Sequence, residues 1–508
     1  MKNNLKEWLE ERENGLIRDI AALVEIESVA EDKPVARENG KRTAAPAPYG
    51  DGCRRALEQM IVLAEQKGLK TEDHEGHCVS ISSGNGGTEI GIWNHLDVVP
   101  AGEGWLYPPF ACTQKNGYLI GRGVQDNKGP AIAVLYAIWY CNEKNLLKHI
   151  RVRQILGCQE ECGMQDIAWY LQNRRPPEYS FVADCGFPVC CGEKGGCRIT
   201  FETEKETGQL WQIQGGTVCN SVPSSASAKL LSGGKWITLE AEGVGGHAAF
   251  PEGTVNAVHV LCRKIWEHMF PDEAGTAAQE KEEPESVEPV ADGQLKWSEP
   301  EMKAAESSGY TERDRLYRTL RFLEEVSADG YGEKAGIACE DEISGKLTCN
   351  AGVVSMQEDR IRLELDIRYP VTKKTEDFLP GLQKKAEEAG FCMQEFRDSP
   401  PYYIDRKHPF VQVLMDAWSE VTGQSGEPFV MGGGTYARHI PNTVAFGPGT
   451  ERDFSIPGLP AGHGNCHCAD EAESIENLKQ AVYIYINALM KIDKWIGGKN
   501  HEENKNKQ

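Results

Sequence analysis

EIGIWNHLD, residues Glu89 to Asp97, is an apolar run of strand character that ends abruptly in a histidine and an aspartate. A short apolar run of this kind reads as a buried strand. Two further runs repeat the design: Arg151 to Gly157 leads into QEE, and Phe181 to Ala183 leads into ADC. A helical segment, Ala131 to Tyr140, separates the first run from the second. Strands alternating with helices imply an α/β domain, and in open α/β sheets ligands bind beyond the carboxyl ends of the strands. Three strand ends therefore carry His95, Glu160, Glu161 and Asp184 toward one place. Upstream, Leu5 to Val24 and Cys53 to Gly68 have the apolar spacing of amphipathic packing helices.

At 508 residues the chain exceeds what one hydrophobic core usually supports, so at least two domains are expected. After Gly192 the texture changes to strand-rich sequence with Gly-Gly punctuation, including Lys235 to Glu240 and Arg360 to Arg368, and from about Asp405 the α/β texture returns. That order is expected of an α+β domain, residues 193–404, inserted into a discontinuous catalytic domain, residues 1–192 and 405–508. Within the insert, residues 271–306 hold 11 acidic and 3 basic residues and read as a solvated excursion. The formal charge of -22 argues against nucleic acid and anionic membranes as partners. Neither a signal peptide nor a spanning segment is evident, so a cytoplasmic protein is expected, with its 17 cysteines reduced. Cys185, Cys190, Cys191 and Cys197 lack the paired spacing of a structural zinc site.

Each candidate residue has an ordinary alternative. His95 could be a hydrogen-bonded core histidine, although Asp97, two residues on, could accept its second N–H and so orient it as a metal ligand. Asp126, in GRGVQDNKGP just before a helix, could be an N-cap, or could lend two oxygens to two cations. Glu160 and Glu161 form the sharpest anomaly, since adjacent carboxylates at the end of an apolar strand are unfavourable unless a cation or proton neutralises one. Strand alternation would point them opposite ways, one to metal and one to substrate. With Asp184 and a histidine of HGNCHCADE, the donors suit a hydrolytic site holding two ions about 3.5 to 4 Å apart.

HLDVVPAGEGW, GRGVQDNKGP, QEECG, ADCGFPV with GEKG, GGHAAFPEGTVNA, DIRYP and GGGTYAR occur in an order that resembles the peptidase V-like dipeptidases of the aminoacylase and carboxypeptidase G group. The resemblance implies a zinc-peptidase-like mixed sheet flanked by helices, with the inserted domain as a lid. It implies that His95 and Asp184 bind one metal, Glu161 and His467 the other, and that Asp126 bridges them. Asp97 would orient His95, and Glu160 would be the general base. His467 is preferred to His463 because HCADE resembles the terminal histidine motif of the family. Where the family often has Asp-Asp-Lys-Gly, with a cis peptide after the first aspartate, this chain has Asn127.

His247 resembles the lid histidine that donates to the oxyanion, and Asn220 and Arg368 resemble lid residues that hold a substrate carboxylate. Their alternatives are a surface histidine and a strand arginine paired with Asp366 or Glu364. Gly433 and Arg438, in GGGTYAR, are read as contacts to bound peptide. A monomeric dipeptidase with two divalent cations is the expectation, zinc first, then manganese or cobalt. The rivals are an N-acyl-amino-acid deacylase and a silent metal- or peptide-binding protein.

Overall fold

The computed structural model describes residues 2–31, 47–203, 210–270 and 312–505. The acidic stretch 271–306 lies outside them. The chain divides into two compact units, Met1–Glu193 with Tyr403–Gln508, and Lys194–Tyr402.

The first unit is built on a nine-stranded mixed sheet. At its centre Ile150–Gly157, Thr88–His95 and Tyr179–Val182 lie side by side and parallel, with Thr88–His95 in the middle. Thr443–Ala445 continues the parallel set beside Tyr179–Val182, whereas Cys78–Ser83 and Lys70–His74 extend the other side antiparallel. Six of the eight residues of Thr88–His95 are buried, as a central parallel strand covered on both faces requires. The helix Lys128–Glu143 is buried on nearly every side, and Ile475–Lys505 packs against it and against Pro409–Thr422. An apolar helix surrounded by other elements needs no polar face. The N-terminal run from Leu5 to Val24 is two helices, Lys2–Glu10 and Glu13–Val24, rather than one. Arg12, at φ -110° and ψ 3°, breaks the helical path between them.

The second unit is a seven-stranded antiparallel sheet in the order Lys235–Glu242, Ser225–Ser232, Leu210–Gly215, Thr348–Gln357, Arg360–Tyr369, Gly195–Thr203, Phe391–Ser399. Ala257–Met269, Glu312–Ser327 and Leu379–Glu388 pack on it, and its core closes within its own residues. No helix among the described residues is long and apolar enough to cross a membrane.

Candidate metal centre

The three parallel strands end level with one another, so the residues that follow them converge. His95 is the last residue of its strand and is fully buried. Its Nδ1 donates to the Asp97 carbonyl at 3.0 Å and lies 3.3 Å from Asp97 Oδ1. Nε2 therefore faces the carboxylates, 2.9 Å from Asp126 Oδ1 and 3.5 Å from Asp184 Oδ2. The Asp97 carboxylate also accepts the backbone N–H of Glu160 at 3.2 Å and of Glu161 at 3.1 Å. One buried aspartate thus ties the histidine strand to the glutamate pair.

The two glutamates are not on a strand. Their strand stops at Gly157, where a Cβ would lie 2.2 Å from both Asp166 Oδ2 and the Tyr436 hydroxyl oxygen, so only glycine fits. Asp166 accepts the N–H groups of Cys158 at 2.7 Å and Gln159 at 2.9 Å, together with the Tyr436 hydroxyl. These bonds turn the chain into the short 3-10 segment Glu160–Cys162. The glutamate side chains are separated by this turn, which replaces the strand alternation expected from sequence.

Asp126 stands outside the helix that follows, whose N-cap position is Asn127, so the capping alternative is excluded for it. The Asp126–Asn127 peptide is cis. The loop before it is gripped by Glu471, fully buried and paired with Arg122 at 2.7 Å. The Glu471 Oε1 accepts the N–H groups of Gly123, Gln125 and Asp126 at 3.0, 2.9 and 3.1 Å. Behind the site runs a chain of buried amides. Gln154 donates to Asn94 at 3.0 Å, Asn94 to Asn127 at 2.6 Å, and Asn127 to Asp184 Oδ1 at 2.8 Å.

His467 closes the cluster, its Nε2 lying 3.2 Å from both Asp126 Oδ2 and Glu161. His463 is turned away onto Asp470, with Nδ1 2.7 Å from Oδ2. Donor atoms of His95, Asp126 and Glu161 lie within 4.8 Å of one another, and so do those of His95, Glu160 and Asp184. Neither group contains a cysteine. All 17 cysteines are free thiols.

Charge accounts for why such a cluster fits cations. Burial pushes the Glu160 carboxyl well above the usual range, and Asp184, Glu161 and Asp126 push it further, against the pull of His95. Burial and the Asp126 charge raise Glu161 to about 7 against the opposing pull of His467 and His95. Burial would lower the His95 pKa, but Asp184, Asp126 and Asp97 raise it well above normal. Hydrogen bonds to Asp126 and Glu161 lift His467 to about 11. Among the described residues no lysine or arginine pairs with Asp126, Glu160, Glu161 or Asp184, so protons alone balance the carboxylates. Imidazole and carboxylate donors at this spacing suit divalent cations in place of those protons.

His247, Asn220 and Arg368 belong to the second unit. His247 is exposed, at a two-residue pairing that sets it opposite Ser221. Its Nδ1 accepts the Ala249 N–H at 3.1 Å, which leaves the ring proton on Nε2. The Asn220 carbonyl accepts the Ala248 N–H at 3.0 Å. Arg368 Nε donates to Asp366 at 2.9 Å. Arg438, in the first unit, donates to Glu193 at 2.8 Å and to the Gly433 carbonyl at 3.3 Å. Thr435, also in the glycine-rich segment, bonds to Glu193 too. Sequence reasoning missed Glu471, Arg122, Asp166, Tyr436, Glu193 and the amide chain. The one available signal was the acid that ends HCADE.

Comparison with known proteins gives this arrangement its family. Residues 91–491 match the model of peptidase family M20/M25/M40. The "Putative dipeptidase YtjP" of Bacillus subtilis is 29% identical over 516 residues, covering 95% of this chain and 98% of that one. A Staphylococcus epidermidis protein of like description is 29% identical over 478 residues, covering 87% and 91%. Among solved structures, human carnosine dipeptidase 1 aligns over 97% of this chain and 98% of its own at 13% identity, with a TM-score of 0.53. The Saccharomyces cerevisiae dipeptidase Dug1p aligns over the same shares at 12% identity and TM-score 0.54. At such identities these two structures speak for the fold alone. With nearly four fifths of the chain inside the family match, and a donor cluster suited to divalent cations, the chain belongs to peptidase family M20/M25/M40 and is a metal-dependent peptidase.

Proposed function

We propose that the protein is a dipeptidase that uses two divalent cations to cleave short peptides bearing a free C-terminal carboxylate. The observation that carries this reading is Glu160, a carboxylate with no hydrogen bond of its own among the described residues, within 4.8 Å of His95 and Asp184 donor atoms. A pure binding site has no use for such a base. His95 and Asp184 would hold one cation, Glu161 and His467 the other, and Asp126 both. Once bound, the cations would polarise the scissile carbonyl and acidify a water.

Glu160 takes the proton from the attacking water and returns it to the departing amine. Burial raises its pKa, which helps it hold the proton it must later return. Asp97 keeps Glu160 and His95 in register through the backbone bonds described above. His247, with its proton on Nε2, donates to the carbonyl oxygen as negative charge builds there. Arg368 and Asn220 hold the substrate carboxylate, for which a planar guanidinium is suited. Zinc is the ion of first choice because two imidazoles serve the site, and the carboxylates also accept manganese or cobalt. A cytoplasmic location belongs to this reading, since 17 cysteines spread through a long chain suit a reducing compartment.

The test is a panel of dipeptides and N-acyl amino acids, assayed on chelated protein after each metal is restored. Release of both amino acids from dipeptides is expected. Turnover confined to N-acyl amino acids would replace this reading with that of a deacylase.

A further inference from the structure

On the first unit a groove of about 480 Å³ borders Asp126 and Asp184, and the mechanism above uses neither Thr450 nor Glu451 of its lining. Phe187 and Pro448 contribute apolar surface to its lining, and Thr450, Glu451 and Arg452 line it as well. Arg452 is already neutralised, since its Nε and Nη2 lie 2.8 and 2.6 Å from the buried Glu473 carboxylate. Glu451 is exposed and makes no hydrogen bond or ion pair among the described residues. Thr450 Oγ1 is buried and has no hydrogen-bond partner among them. The groove is therefore lined by one exposed carboxylate without a protein partner among the described residues and by a threonine whose buried hydroxyl has none, next to the carboxylates that would hold the cations. A buried hydroxyl without a partner is unfavourable until a ligand supplies one.

We propose that this groove is the subsite for an ammonium group of the substrate, with Glu451 as its counter-ion and the Thr450 hydroxyl as a second acceptor. The inference rests on the dipeptidase reading and deepens it. A peptide with a free amine satisfies both groups, whereas an N-acyl amino acid brings no charge to Glu451. The ammonium could be the α-amine of the N-terminal residue or a basic side chain on it, and the chemistry recognised is the same.

Glu451→Gln in the metal-loaded enzyme tests this, with alanyl-leucine, lysyl-leucine and propionyl-leucine, the last measured as competing substrate or inhibitor. The KM for lysyl-leucine should rise about fivefold, the upper scale of an exposed ion pair, with alanyl-leucine following where the α-ammonium is the group bound, while the constant for propionyl-leucine does not follow. The rise should shrink at high salt. Thr450→Val should move the dipeptide constants in the same direction. A rise for both dipeptides assigns the α-ammonium, and a rise for lysyl-leucine alone assigns the side chain. Unchanged constants for both dipeptides, or all three substrates shifting together, overturn the subsite. Wild-type enzyme that cleaves propionyl-leucine and neither dipeptide overturns the dipeptidase reading itself, a result visible before any variant is made.

Discussion

Glu160 and Glu161 differ by one position and by everything around their carboxylates. Glu161 lies against His467 at 3.2 Å, and Glu160 has no such partner. Glu160→Gln should therefore abolish turnover while metal content, measured by elemental analysis after dialysis, persists. Substantial residual activity would falsify its role as base. The histidines make a second prediction. His467 is raised from 6.5 to about 11 by its carboxylate partners, so in metal-free protein it is an imidazolium at neutral pH. A raised folded pKa means a stabilising contribution fully present below pH 6.5 and lost as pH climbs through about 11. A metal ion needs the neutral ring, so loading at pH 7 should expel protons and affinity should rise with pH. Titration calorimetry in buffers of different ionisation enthalpy measures this. Heats independent of buffer would contradict the pairing of His467 with Asp126 and Glu161.

At the scale of elements, the candidate metal donors are positioned by loops that other loops hold. Glu471→Ala removes the acceptor for three backbone N–H groups and leaves Arg122 buried without its partner. Breaking a buried pair in this way costs about 3 to 5 kcal/mol. Thermal denaturation should show that loss, and metal affinity should fall with it because Asp126 sits at the end of the loop. A variant with wild-type melting and metal binding would mean the loop is fixed elsewhere. This grip was invisible in the sequence. The strands ending at His95, Gly157 and Val182 announced themselves by apolar runs that stop at polar residues, because burial on both faces writes itself into composition. The turn at Glu160–Cys162 did not, since Gly157 is dictated by Asp166 and Tyr436, the latter distant in the chain. The break at Arg12 was hidden for the opposite reason: the apolar spacing continues across it. Asn127 could be noticed as an oddity, but not that its amide links Asn94 to Asp184.

For the whole molecule, the two large cores among the described residues close separately, each within its own unit. His95, Asp126, Glu161, Asp184 and His467 all belong to the first. Binding stabilises only the folded unit that holds the ligand, by mass action. Chelation should accordingly lower the calorimetric transition of the first unit and leave that of the second in place. Equal shifts in both would show that the units melt as one.

The hold of Glu471 on the Asp126 loop has a temporal side. Asp126 and Glu471 are 345 residues apart, and a ribosome adds roughly 5 to 20 residues per second. For tens of seconds after the first of these donors emerges, a nascent chain carries His95, Asp126, Glu161 and Asp184 without the carboxylate that shapes the loop or the histidine that completes the cluster. The donor cluster is thereby completed only at the end of synthesis, when His467 comes to lie against Asp126 and Glu161.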